Sequence, residues 1–352
     1  MKIGVIGRIT AEGKGPSCGQ TIRTKILLDT LKKHYGEENI YLLNTGLIKQ
    51  SKIKAVLSLL YCMLTCKDII LMVSWNGLQL FLPLLSKCQK YLGKRIYNNI
   101  IGSSILDLVE QHPKYPQYMS SFVVNWVQMK SLAEEFEKWG IFNVEVLPNS
   151  KPIHINSDLK SYRNDGILRF CTFSRISKAK GIELAASAIQ SVNQEAGRTI
   201  ACLDIYGVPD EDYKQDFEKF LQTVSDEISY KGLVAYDKST EVLGNYFMLL
   251  FPTTYIGECF PGTIIDAYAS GLPVLASDWK FNPELIVEGK TGYLYEHSSE
   301  MAFKEKIDYV IAHKEEVCSL RENCLKEAER YTPEKVMPII FNKIDSMQDR
   351  KK

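Results

Sequence analysis

The chain has 352 residues, 45% of them hydrophobic and 24% charged, with a net charge of +1. That length suits two hydrophobic cores, and that balance suits a globular chain and excludes a disordered one. The near-neutral sum hides an asymmetry: residues 1–150 carry 18 Lys and Arg against 11 Asp and Glu, whereas residues 151–352 carry 25 against 31. Either the surface charge is simply uneven, or the basic half faces anionic lipid or a phosphate-linked substrate.

In chain order, "KIGVIG" at the start is a short apolar run of strand type and not a signal peptide. "TIRTKILLDTLKKHYG" has helical spacing, with Ile22, Ile26, Leu27, Thr30 and Leu31 on one face and Gly36 at the end. "NIYLLN" is the second strand. The most apolar stretch, "AVLSLLYCMLTCKDIILMV", is interrupted by Lys67 and Asp68, which leaves fewer than the ~20 residues a membrane span needs. It reads as a helix followed by a buried strand. Lys49, Lys52 and Lys54 lead into that helix. A core helix with a solvated start is the first reading, and a helix resting on a membrane surface is the second. Cys62 and Cys66 read as buried neighbours on it rather than a metal pair. "KRIYNNII" and "SFVVNW" are the next strands, "KSLAEEFEKWG" a helix, and "VEVLPN" closes the half.

The polar, Pro-containing stretch "LPNSKPIHINSDLKSYRNDG" is the predicted linker, after which the alternation restarts. "LRFCTFSR", "IACLDIYG", "ISYKGLV", "FMLLFPTT", "LPVLASD" and "TGYLYE" read as strands with helices between them. Such alternation gives parallel sheets with helices on both faces. The expected fold is α/β, with two doubly wound Rossmann-like domains and a cleft between them. The expected division is an acceptor-binding domain at 1–150, a donor-binding domain at 151–332, and a final helix at 333–352 that packs back on the first domain. Nine scattered cysteines with no CxxC suggest reduced thiols and a cytoplasmic protein.

Three glycine-containing loops follow predicted strands. In "GRITAEGKGPSCGQT", Gly13, Gly15 and Gly19 would let the backbone approach a ligand closely, although the spacing is neither a Rossmann nor a phosphate-loop fingerprint. In "FSRISKAKGIE", Arg175 and Lys180 sit in a strand–loop–helix unit and can converge on one anion. In "GECFPGTIIDAYASGLPVLASD", Pro261 and Gly262 enter a helix that Gly271 ends. The N–H groups of Gly262 and Thr263 would be free for a phosphate at its start. Asp266, one turn in, could reach a pair of ribose hydroxyls. Glu258, ahead of the turn, could hold sugar hydroxyls together with Cys259, Phe260 and Pro261. "DED" at 210–212 matches a metal-binding DxD, but helix N-terminal acids explain it better.

"SRISKAKG" together with "GECFPGTIIDAYASGLPVLASD" resembles the family 4 retaining glycosyltransferases of the GT-B fold. "IYNNIIGSSILDLVEQHPKY" and "VEVLPN" resemble capsule, exopolysaccharide and O-antigen members. The resemblance implies that Arg175 and Lys180 bind the donor diphosphate. It also implies that the E-x7-E motif falls on Glu258 and Asp266, for donor sugar and ribose. Two departures stand out: the second acid is Asp, and "NNIIGSS" lacks the His that many members place after the fourth strand. Asn98, Asn99 and Ser103 are the residues left there for the acceptor side. The implied activity is hexose transfer from a nucleotide sugar, with UDP as first choice of carrier and GDP as second. The acceptor would be a saccharide, possible carriers including a lipid diphosphate at the anionic inner membrane face. Arg175, Lys180 and Glu258 would carry the chemistry, with no metal cofactor and no nucleic acid. The alternatives are a sugar-nucleotide epimerase of the same fold and a non-catalytic nucleotide-sugar-binding subunit.

Overall fold

A computed structural model describes residues 2–9, 19–46, 48, 51–153, 155 and 166–349. The chain divides into two compact units, Met1–Pro152 with Pro333–Lys352, and Ile153–Thr332.

The first unit is built on a parallel sheet in the order β2-β1-β3-β4-β5-β6. Its strands are β1 Lys2–Gly7, β2 Ile40–Asn44, β3 Cys66–Met72, β4 Arg95–Asn99, β5 Val124–Val127 and β6 Val144–Val146. Val5 of β1 pairs with Leu42 on one side and Ile70 on the other. β1 and β3 are near-continuous apolar runs because helices cover both faces of a parallel sheet. Asp68 is a carboxylate inside β3 with no exposed surface. It is tolerated because Arg95 lies 2.5 Å away and the Tyr97 hydroxyl donates to it at 3.0 Å. The same Arg95 donates to the Met347 carbonyl, which ties the last helix, Pro333–Asp349, to the sheet. Val336, Ile340 and Ile344 of that helix share a core with Leu27 and Leu31 of the helix Gly19–Tyr35. Tyr35 donates to Asp345 at 2.9 Å across the same contact.

Two sequence expectations fail here. Cys66 is not a helical neighbour of Cys62, because the helix Lys52–Thr65 ends before it and Cys66 opens β3. That helix is also not a core helix: Cys62 is its one buried residue, while Ile53, Leu57, Leu60 and Leu64 are exposed. Helical spacing shows which residues share a face, but not the side on which the sheet lies.

The second unit has a parallel sheet in the order β12-β11-β10-β7-β8-β9. Its strands are β7 Leu168–Phe173, β8 Ala201–Tyr206, β9 Ile228–Gly232, β10 Met248–Phe251, β11 Val274–Ser277 and β12 Gly292–Tyr295. Phe170, Leu203, Ile205, Met248 and Leu275 form one core with Ile182 and Ile189 of the helix Ile182–Ala196. All strands run the same way, so the loops after β7, β10 and β11 leave from one edge of the sheet. In open parallel sheets that edge receives ligands.

Candidate functional site

β7 is followed by Ser174, Arg175 and a short turn at Lys178–Lys180, and then by the helix Ile182–Ala196. Gly181 joins turn to helix at φ +68°, and a Cβ there would sit 2.3 Å from the Pro252 carbonyl oxygen. Only glycine gives both that backbone angle and that close approach. The approach brings the end of β10 against the turn: Thr254 N–H donates to the Ala179 carbonyl at 2.8 Å. The Thr253 hydroxyl leans on the same carbonyl at 3.4 Å.

The loop after β10 therefore delivers Glu258 to Lys180. Their side chains form a direct ion pair, 8% and 11% exposed. Thr253 donates to the same Glu258 oxygen at 3.2 Å. The Lys180 ammonium also lies over the Phe251 and Tyr255 rings, 5.4 and 5.0 Å from their centres. Loop 252–261 is fixed from the other side by Trp279, whose indole N–H donates to the Tyr255 carbonyl at 2.9 Å. Ser277 donates to the Thr253 carbonyl at 2.6 Å.

Arg175 stands at the rim of the same group. Its guanidinium lies 5.6 Å from the centre of the Tyr255 ring, so Arg175 and Lys180 both approach one aromatic side chain. It donates to both Asp210 oxygens, at 3.2 and 3.3 Å, and its side chain remains 56% exposed. Burial works against the charge, but Asp210 and Tyr255 outweigh it and raise the Arg175 pKa. Asp210 therefore differs from the sequence expectation of a helix N-terminal acid, since that helix begins only at Lys214. Among the described residues, no three His, Cys, Asp or Glu side chains gather as a metal ion would need.

The helix Gly262–Ala269 starts just beyond Glu258, with Pro261 at its cap in extended conformation. Its first N–H groups have no acceptors within the helix. The Thr263 hydroxyl oxygen is buried and has no hydrogen-bond partner among the described residues. Asp266 is 5% exposed, on the second turn. Cys259 and Phe260 face inward, and Phe260 packs edge-on against Tyr331 with ring centres 4.9 Å apart. Those two can offer a ligand their backbone groups, while their side chains serve the core.

The other expected residues lie in the first unit. Gly13 and Gly15 fall outside the described residues, and Gly19 opens a helix. Asn98 has no exposed surface and its amide donates to Asn125 at 2.9 Å. It joins β4 to β5 inside the sheet, which corrects the expectation that it lines an acceptor surface. Asn99 is 3% exposed and its side-chain oxygen has no partner among the described residues. It borders a small pocket with Arg23, Met72, Ser150 and Met337. Ser103 is buried. Thr253 and Tyr255 were missed by the sequence reading, which named only the partners they hold, and Asp210 was read there as a helix acid rather than as the partner of Arg175.

Residues 158–331 match the family model described as Glycosyl transferases group 1. The match supports a transferase of sugars. No curated protein matches the chain by sequence. Among solved structures, Alr3699/HepE from Anabaena in complex with UDP aligns with a TM-score of 0.73 at 14% identity, covering 98% of this chain and 100% of that one. Sucrose-phosphate synthase from Thermosynechococcus elongatus aligns with a TM-score of 0.76 at 12% identity, covering 99% and 100%. The lipopolysaccharide outer core galactosyltransferase WaaB aligns with a TM-score of 0.69 at 16% identity, covering 99% and 100%.

The fold is GT-B.

At these identities the structural likeness speaks to fold alone, and the family match carries the link to sugar transfer. In this GT-B chain the matched segment contains every residue of the Arg175, Lys180 and Glu258 group.

Proposed function

We propose that the protein is a retaining hexosyltransferase that takes its sugar from a nucleoside diphosphate donor, UDP-linked by preference and GDP-linked as second choice. The observation that carries the reading is the joining of Lys180 and Glu258 by the loops after β7 and β10, with Arg175 at their rim. Arg175 offers a planar fork and Lys180 a point charge, the two cationic forms that suit a diphosphate. With the N–H groups of Gly262 and Thr263 they would stabilise the charge that develops on the leaving diphosphate. That task is electrostatic, and no metal is assigned to it. Glu258 would turn from Lys180 to the donor sugar hydroxyls, with the backbone at Cys259, Phe260 and Pro261 beside it. Asp266 would take the ribose.

Alr3699/HepE was crystallised with UDP, and in another structure with UDP and glucose. That neighbour supports the choice of UDP, though not the sugar. The first unit would hold a saccharide acceptor, with Asn99 and Ser103 near it. A place in cell-surface polysaccharide synthesis fits an acceptor carried on a lipid diphosphate, met by peripheral contact from the cytoplasmic face of the inner membrane. No helix among the described residues is long and apolar enough to cross a membrane.

The test is calorimetry with UDP and GDP, followed by incubation with radiolabelled nucleotide sugars. The reading expects UDP to bind more tightly and a UDP-sugar to be transferred or slowly hydrolysed. Epimer formation without transfer, or binding of neither nucleotide, would overturn it.

A further inference from the structure

The helix Lys52–Thr65 lies with its apolar side outward. Ile53, Val56, Leu57, Leu60 and Leu64 recur at helical spacing and so share one face. Ile53, Leu57 and Leu64 are 75%, 60% and 83% exposed, whereas Cys62, on the opposite side, is fully buried. The sheet is therefore met by the poorer face and the richer one is left uncovered. Single exposed leucines need no explanation, but a continuous stripe of this kind marks an interaction surface.

The charges around the stripe indicate what covers it. Lys52 and Lys54 fall on either side of it and are exposed. Between residues 39 and 106 the chain carries eight Lys and Arg and a single acid, Asp68. That acid and Arg95 form a buried pair, so neither contributes surface charge, and seven lysines remain in the segment. The next helix, Trp75–Leu92, is likewise free of acids. Lys94, just after it, donates to the Cys66 carbonyl at 2.8 Å, which brings the end of that helix to the Leu64 end of the first. Tyr91 and Leu92 are exposed there at 73% and 57%, beside exposed Lys87 and Lys90.

We propose that this face inserts into the headgroup region of an anionic lipid bilayer, with the leucines among the acyl chains and the lysines at the phosphates. An amphipathic helix with a basic border binds in this way, its apolar side about 5–10 Å deep. Lysine stems can lie along the apolar surface while their ammonium groups reach the headgroups. Tyr91, amphipathic in itself, suits the same interface. A second copy of the chain is the less favoured occupant, because pairing the face with itself would set Lys52 and Lys54 against their like. The inference rests on the membrane contact proposed above and gives it particular residues.

The experiment is vesicle flotation of the full chain, using phosphatidylglycerol–phosphatidylcholine vesicles and phosphatidylcholine alone. Wild type should float with the anionic vesicles and only weakly with the neutral ones. Leu57→Glu/Leu64→Glu, at exposed positions, should melt like wild type and lose partitioning by more than about tenfold. Lys52→Glu/Lys54→Glu should lose the preference for anionic vesicles. Wild type left unbound at low salt, or a leucine variant that floats as well as wild type, would overturn the inference. So would sedimentation showing a wild-type dimer that Leu64→Glu splits, without flotation. UDP titration of the same samples separates the two proposals, since all three proteins should bind UDP equally. Flotation without UDP binding would remove the enzymatic reading and leave the membrane face standing.

Discussion

Lys180 and Glu258 are almost wholly buried and lie in contact, whereas Arg175 is mostly exposed and only loosely held. Their variants should therefore behave differently. Lys180→Met alone leaves an uncompensated buried carboxylate and should cost about 3 kcal/mol or more of stability, read from chemical denaturation. Adding Glu258→Gln should restore much of that loss, because the pair is then replaced as a unit, yet UDP affinity should stay low. A double variant that binds UDP normally would remove the pair from the donor site. Arg175→Ala breaks an exposed pair and should change stability by less than about 1 kcal/mol. It should still weaken UDP binding by roughly 1.5–3 kcal/mol, the worth of a charge-assisted contact. Thr263→Val deletes a buried hydroxyl with no partner among the described residues. Stability should hold or rise, and UDP affinity should fall. Unchanged affinity would show that this hydroxyl does not face the diphosphate.

At the scale of elements, the site depends on how closely the β7 loop meets the end of β10. Gly181→Ala tests that contact. The left-handed angle alone costs a side chain about 1–2 kcal/mol. The Cβ would also press on the Pro252 carbonyl, which cannot move without disturbing Thr253 and Thr254. Loss of UDP binding in a folded Gly181→Ala protein is the expected result. Of the twelve strands among the described residues, eleven were legible in the sequence, since buried strands leave short apolar runs bounded by polar or Gly residues. The three-residue β6, which is not fully buried, was read only as the close of the first half. Arg175, Lys180 and Glu258 were legible because cations and an acid stood beside turn residues after such runs. Their partners were not. Asp210 lies 35 residues from Arg175, and Glu258 lies 78 from Lys180, so only the folded sheet brings them together. The outward face of Lys52–Thr65 was only the second reading of that helix, for another reason. Its composition is that of a core helix, and its orientation follows from packing on β2 and β3.

For the whole molecule, one unit would carry the donor chemistry, with cations and helix N–H groups in place of a metal. Turnover should then persist in excess chelator, and a loss that manganese restores would contradict that part. UDP at ~100 times its dissociation constant should stabilise the protein by about 2.7 kcal/mol, visible as a rise in melting temperature that GDP matches less well. The most direct measurement is incubation of wild type and Lys180→Met/Glu258→Gln with radiolabelled UDP-hexoses, following sugar released or transferred. The account predicts release from at least one donor by wild type, abolished in the variant although it remains folded. A wild-type protein that binds and cleaves no nucleotide sugar, or a variant as active as wild type, would contradict it.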